Sequence, residues 1–277
     1  MTRNTLRTSS ALIFVLLLSA AASAQTAIPL RRNSFSTAQD VQLGRQAAAQ
    51  ARRQLPMLHD GPTNALVDRI GSRLVAAIPA RYRHPGFRYS FDVVNRRDIN
   101  AFALPGGPTF VYRGTIQAAR TDDELAGVMA HELAHVVLRH GTLQAAKAQK
   151  FQLGAIAGQV LGAIVGGDKG RVIAQGSQIG LGTYFLKYGR EYEREADLLG
   201  AQIMARAGYN PRQMANMFRT IQQRGGGRGP EWLSIHPNPG NRYEAINSEA
   251  SMLRMAGTAN TGSAFDSVRA RLGAVSP

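Results

Sequence analysis

Two histidines stand four residues apart in the run His131-Glu132-Leu133-Ala134-His135. On an α-helix a four-residue step climbs ~6 Å and completes almost one turn, so both imidazoles leave one face and can grip one metal ion. Glu132, beside the first histidine, is placed to take a proton from a water at that metal. This is the chemistry of a zinc hydrolase, with peptide-bond hydrolysis its commonest form. A catalytic zinc takes three protein ligands and keeps a fourth position for water. The third ligand is sought in Arg190-Glu191-Tyr192-Glu193-Arg194-Glu195-Ala196-Asp197, the densest acidic cluster of a basic chain. Glu193 and Asp197 are four apart and share a helical face. Glu193 can therefore bind the metal while Asp197 accepts a hydrogen bond from a ligand imidazole. The competing reading is a solvated helix start, which favours acids in its first turn. Glu191 and Glu195 fit that second reading, and spacing alone leaves Glu193 and Asp197 open between the two.

These groups need a frame. Thr121-Asp122-Asp123-Glu124 has the capping-box pattern, with Thr121 as N-cap and Glu124 reaching back. Apolar residues recur at Leu125, Val128, Met129, Leu133, Val136 and Val137, the period of a buried helix. That helix should close near His140-Gly141, with glycine at its C-terminal end. Burying two histidines and a glutamate there is costly unless they are partnered. His140, nine positions after His131, falls on the opposite face and reads as a cap of the helix end. His59 and His84 sit in turn-like contexts and read as exposed. Residues 25–36 read as extended or disordered, 38–55 and 63–78 as helices, and 87–94 as a strand. Residues 100–104 and 109–113 read as strands around the Pro105-Gly106-Gly107-Pro108 turn. A further helix runs from the acidic cluster to Ala207. The fold class is α+β, mainly helical, with a small sheet beside the HExxH helix. A substrate peptide can add to such a sheet as an extra strand. Residues 110–113 are the candidate edge, with a plain structural hairpin the equal alternative.

HELAH followed by Glu193-Arg194-Glu195-Ala196-Asp197 and Gly200 resembles metallopeptidase family forty-eight, which includes the HtpX heat-shock protease and the CAAX prenyl endopeptidases. Two more segments carry the likeness. Asn100-Ala101-Phe102-Ala103-Leu104-Pro105-Gly106-Gly107, then Phe110-Val111-Tyr112-Arg113-Gly114, looks like the family's NAFxxPGG region. His236-Pro237 with Arg242 matches its HPxxxxR. The resemblance spans roughly residues 35–250 in order and spacing. It implies a zincin-type (gluzincin) fold and one zinc per chain, held by His131, His135 and Glu193, with Asp197 as partner. Asn100, Ala101, Phe110 and Val111 are the candidate substrate-binding residues. Within the family the chain is most similar to the soluble periplasmic BepA-like group. That group's tetratricopeptide repeats have no counterpart after about residue 250. In the same group the histidine matching His236 can occupy the fourth zinc position.

The N-terminus reads as an export signal. Arg3 and Arg7 precede the apolar run of residues 11–18, and Ala22-Ser23-Ala24 is a cleavage pattern that would release a chain starting at Gln25. An uncleaved anchor is the alternative, on an apolar run shorter than the roughly 18 residues a span needs. Residues 25–255 form the expected metallopeptidase domain, and 256–277 a short tail. The absence of cysteine excludes thiol catalysis, lipoprotein attachment and a disulfide framework. The formal charge is +15, and loss of the two leader arginines lowers it to +13. An anionic membrane surface or acidic substrates suit that charge, as does a simple arginine-rich solvated surface. No nucleic-acid-binding motif accompanies it. Residues 153–167 are apolar, with Gly154, Gly158, Gly162 and Gly166 four apart. With residues 172–186 they read as a mobile lid between the two metal-binding helices, with core packing or membrane contact the alternatives.

The sequence therefore leads to a periplasmic zinc endopeptidase acting on envelope polypeptides, at most peripheral to the outer membrane. Glu132 is the general base. His236 or Arg242 would stabilise the oxyanion. A second expectation for His236 is that it closes the fourth metal position at rest, on the glycine-rich loop of residues 225–230. Trp232 either anchors that loop or faces substrate. A chaperone-like assembly factor with a shut site, and a metal-dependent hydrolase of other substrates, are the alternatives.

Overall fold

The computed structural model describes residues 25–150, 188–224, 231–238, 240–259 and 262–274. The expected export signal, the expected lid of residues 153–186 and the loop of residues 225–230 lie outside the described residues.

The HExxH helix, α4 (Asp122–Val137), is the axis of the molecule. From Glu124 to Val137 every residue is buried, as expected of a helix with no polar stripe. It packs against α2 (Gly61–Ala76), α6 (Arg190–Ala207), α7 (Arg212–Arg224) and the strand β2 (Ala101–Ala103). Small residues let these neighbours close in. A Cβ on Gly127 would lie 2.7 Å from the backbone of Met214 on α7, so only glycine allows that approach. Thr121 caps α4 as expected, its hydroxyl accepting from the Glu124 amide at 3.2 Å. Glu124 reaches one residue further back than expected, accepting from the Arg120 amide at 2.7 Å and from its guanidinium.

The helix does not run to Gly141. It closes at Leu138, Arg139 takes a left-handed conformation at φ 59°, and α5 (His140–Lys150) starts at once. A non-glycine residue at positive φ is costly unless its surroundings hold it. Here the Arg139 guanidinium donates to Asp40 and to the Phe35 carbonyl. The corner turns His140 back toward α4 instead of leaving it as a cap on the far face.

The sheet has strand order β1-β3-β2, with β1 Ser90–Val94, β2 Ala101–Ala103 and β3 Pro108–Tyr112. β3 runs parallel to β1, pairing Asp92 with Phe110 and Val93 with Val111. It runs antiparallel to β2, pairing Phe102 with Phe110 and Ala101 with Val111. β3 is therefore the central strand, which corrects the expectation that residues 110–113 form an edge. Phe110 and Val111 are paired on both sides, Arg113 already opens the helix that follows, and all four side chains are buried. Beyond β1, the Leu58 amide donates to the Val93 carbonyl. The outer strand on the α4 side is β2. Gly106, at φ 79°, makes the turn into β3 beside the backbone of Val41 on α1 (Thr37–Gln54), which starts with a full capping box from Ser36 and Gln39.

Two terminal segments are more ordered than their sequence suggests. Residues 25–36 contain no regular element but form a strap. Thr26 bonds to Glu249 and receives from Gln202. The buried Ile28 offers its carbonyl to Tyr82. Residues expected as a tail contain α10 (Gly262–Ala274), which buries Phe265, Val268 and Leu272 in the main core against α2 and the short α3 (Arg113–Ala118).

Candidate metal centre

His131 and His135 leave α4 on one face, and Glu193 meets them from the first turn of α6. The fourth member, His236, follows the short helix α8 (Glu231–Ile235), its amide bonded to the Trp232 carbonyl at 2.9 Å. One donor atom from each of the four lies within 4.8 Å of the others, and all four residues are buried. His131 Nε2 is 3.0 Å from His135 Nε2 and 3.2 Å from His236 Nδ1. Glu193 carboxylate oxygens lie 3.1 Å from His236 Nδ1, 3.4 Å from His135 Nε2 and 3.5 Å from His131 Nε2. Ligand atoms at about 2.0–2.1 Å from a tetrahedral zinc are about 3.3–3.4 Å apart. Lone-pair nitrogens converging at these separations suit a shared cation better than one another. The residues fit a divalent metal of borderline softness, of which zinc is the common case.

Behind the donors, each histidine has its own support. His131 Nδ1 lies 3.0 Å from Asp197 Oδ1, in an ion-pair contact. The Arg242 guanidinium, from α9 (Arg242–Met252), donates Nε to Asp197 at 2.8 Å and Nη2 to Glu193 at 2.5 Å. Arg242 thus ties the candidate ligand carboxylate to its neighbour, beneath the rings of Phe218 and Trp232. Its Nε and Nη2 are engaged by carboxylates, and Nη1 bonds to none of the described residues. His135 Nδ1 lies 3.0 Å from His140 Nδ1, and His140 Nε2 lies 3.1 Å from Glu195. His140 is fully buried and stacked on Tyr192 at 4.4 Å. It belongs to the centre, against the expectation of a remote cap. Glu195, expected at a solvated helix start, is buried too, whereas Glu191 is exposed.

Electrostatics follow the same geometry. Burial is the largest influence on His131 and works to lower its pKa, but Asp197 and Glu193 together override it and hold the metal-free imidazole up at about 9. Burial dominates at His135 and keeps it well below the ordinary histidine value. It lowers His140 as well, against the opposing pull of Glu195. For Glu193 burial acts upward, yet the facing His236, His131 and His135 hold the carboxyl well below its usual range.

Glu132 lies beside the donors. Trp232 Nε1 donates to Glu132 Oε1 at 3.0 Å, and His236 Nε2 is 3.4 Å from the same oxygen. Trp232 is fully buried and stacked on His236 at 4.6 Å. It is an anchor that also orients Glu132, a contact no spacing signals. Over residues 62–250 the chain matches the model of Peptidase family M48. This chain belongs to peptidase family M48. It is 28% identical over 228 residues to the beta-barrel assembly-enhancing protease of Escherichia coli, covering 80% of this chain and 46% of that protein. It is 32% identical over 196 residues to a putative beta-barrel assembly-enhancing protease of Vibrio cholerae, covering 69% and 40%. The mitochondrial metalloendopeptidase OMA1 of Bos taurus is 34% identical over 161 residues, covering 56% and 31%. The chain thus spans less than half the length of these relatives. The HExxH residues and Glu193 lie within the matched region and come together in this centre.

The candidate substrate residues separate. Ala101 lies on the outer strand β2, with Asn100 just before it, while Phe110 and Val111 lie on the central strand. The Asn100 carboxamide is buried with neither of its polar atoms bonded. A small groove beside His135 is walled by Ala103, Pro105, Arg139, Thr142 and Tyr188. His84 is half-buried, with Nε2 2.9 Å from the Val137 carbonyl, and His59 is exposed. Among the described residues, no helix is long and apolar enough to cross a membrane.

Proposed function

We propose that this M48 metallopeptidase is a zinc endopeptidase of the bacterial envelope, exported to the periplasm by cleavage after Ala24. Its substrates are misfolded or unassembled envelope polypeptides. The observation that carries the chemistry is the convergence of His131, His135 and Glu193 beside a Glu132 held by Trp232. The relatives' names, an assembly-enhancing protease and a metalloendopeptidase, support the class of substrate. The positive charge supports contact with an anionic membrane surface or acidic substrates.

His131, His135 and Glu193 would hold the metal. A divalent cation there supplies a Lewis acid that polarises a carbonyl and makes water acidic enough to attack at neutral pH. Glu132 takes the water's proton at its carboxylate and delivers it to the departing amine. The Trp232 N–H fixes the Glu132 oxygen during both transfers. A peptide aligned along the outer edge of β2 would pass the groove beside His135, placing its backbone by strand addition.

The geometry also supports a closed resting state. His236 Nδ1 stands with the other donors, so its ring takes the place that water needs. Substrate binding must move the His236 segment before Glu132 meets a water. His236→Ala should raise basal cleavage of an unfolded polypeptide while zinc content stays near one per chain. A fall in activity would instead assign His236 to transition-state stabilisation. Glu132→Gln should keep zinc, abolish cleavage and retain uncleaved envelope proteins for identification. The same closure favours a second reading, an assembly factor with a shut site. If Glu132→Gln supports envelope assembly as well as the wild type does, that reading prevails.

A further inference from the structure

The strap of residues 25–36 reaches the candidate metal centre through one side chain. The Arg31 guanidinium donates Nη2 to Glu195 Oε1 at 2.5 Å and Nε to Glu195 Oε2 at 3.4 Å. A further bond runs to the exposed Glu191. Glu195 Oε2 meets His140 Nε2, and His140 Nδ1 meets His135 Nδ1. An unbroken line of contacts therefore joins the strap to His135.

The protons along this line have one consistent arrangement. His135 turns Nε2 toward the other donors, so that nitrogen must offer a lone pair to a metal and the proton sits on Nδ1. Nδ1–H then donates to His140, whose Nδ1 must be the acceptor. The His140 proton is left on Nε2 and donated to the Glu195 carboxylate. Arg31 supplies two N–H groups to that carboxylate, leaving it an acceptor and holding it in place. Each group dictates the tautomer of the next. Packing fixes the ring planes, because His140 stacks on Tyr192 and His135 stacks on Tyr188 at 4.1 Å. The strap is anchored on the same corner by Asn33, which donates to Thr142 at 2.8 Å, and by the Phe35 carbonyl, which accepts from Arg139.

We propose that His140, Glu195 and Arg31 are positioning residues that fix the tautomer and orientation of His135, so that the N-terminal strap is a working part of the metal centre. Orienting partners of this kind are worth about 10-fold to 100-fold in metal affinity when removed. The inference rests on the metal reading given above. It differs from the Asp197–Arg242 support of His131 in lying outside the HExxH and ExxxD spacing and in ending on a segment with no regular structure.

The test uses the mature chain with zinc and, separately, cobalt as probes. Zinc affinity is measured by competition with a chromophoric chelator, and the visible spectrum of the cobalt form reports ligand geometry. Arg31→Ala should weaken zinc binding about 10-fold or more and alter the cobalt spectrum. Arg31→Lys should recover part of both. Glu195→Gln should resemble Arg31→Ala, and the double variant should lose less than the product of the two single losses, because both cut one line. If Arg31→Ala binds zinc as tightly as wild type with an unchanged cobalt spectrum, and only its thermal stability falls, the strap is a brace and the proposal is overturned. Glu195→Gln keeps the question decidable should Arg31→Ala fold poorly. A wild type that holds no zinc overturns the metal reading and this proposal with it. Equal zinc affinity in wild type and Arg31→Ala overturns this proposal alone.

Discussion

The two histidines leave the same face of α4, yet they are supported from behind in unlike ways. His131 meets Asp197, and Asp197 meets Arg242, with Asp197 and Arg242 only 1% and 4% exposed. His135 meets a second histidine before any carboxylate, and its line ends at Arg31, whose side chain is 28% exposed. One support is short, dry and enclosed by aromatic rings. The other is long and runs out to water. A charge buried without its partner is costly, so the enclosed support is all-or-none and bound up with folding. A partly solvated end is screened by salt, so its ion pair contributes less and is more readily altered. Stability should therefore reside in the Arg242 side and adjustability in the Arg31 side.

The largest effect should come from Arg242→Ala. It strands Glu193 and Asp197 together in the interior, where loss of one buried ionic partner costs about 3–5 kcal/mol. Denaturant unfolding of the metal-free protein should show that loss. If Arg242→Ala is no less stable than Arg31→Ala, the contrast between the two supports is wrong. Asp197→Asn should come next. It preserves shape but weakens the acceptor for His131, and zinc affinity should fall about 10-fold to 100-fold. Its deficit should persist in 1 M salt, where the Debye length is about 3 Å. The Arg31→Ala deficit should shrink over the same change, and an equal response of the two variants would break the comparison. The smallest effect should belong to Asn33→Ala. It removes a neutral anchor of the strap, at about 1 kcal/mol of stability, and should leave zinc affinity unchanged. A large loss of zinc there would mean that the strap as a whole, rather than Arg31, supports the centre.

The two sides also differ in how visible they are in the chain. The Asp197 side is written locally: Glu193 and Asp197 are one helical turn apart, and the HPxxxxR segment supplies His236 and Arg242. The His140 side is hidden because helical periodicity was carried through residue 139. Arg139 breaks the helix in a left-handed conformation held by Asp40 and Phe35, residues about a hundred positions away. Glu195 is misplaced for a related reason. Its exposure depends on Arg31 and His140 arriving from two other segments. The edge strand is missed because β1 pairs in parallel with β3 across a connection, which makes β3 central. Turn chemistry at Pro105–Pro108 signals only the β2–β3 pairing.

By itself the sequence determined the candidate metal donors on α4 and α6, the candidate general base, the buried helix and its N-cap, and the family. Those features depend on residue types at fixed local spacing, and helix geometry converts spacing into a shared face. Tertiary structure alone decided the placement of His236 among the donors, the Trp232 bond to Glu132, the bonds of Arg242 to two carboxylates and the line from His135 to Arg31. Each joins side chains more than forty residues apart, or crosses a corner that another segment holds in a strained conformation. Such contacts are fixed by packing around α4, and no local pattern records them.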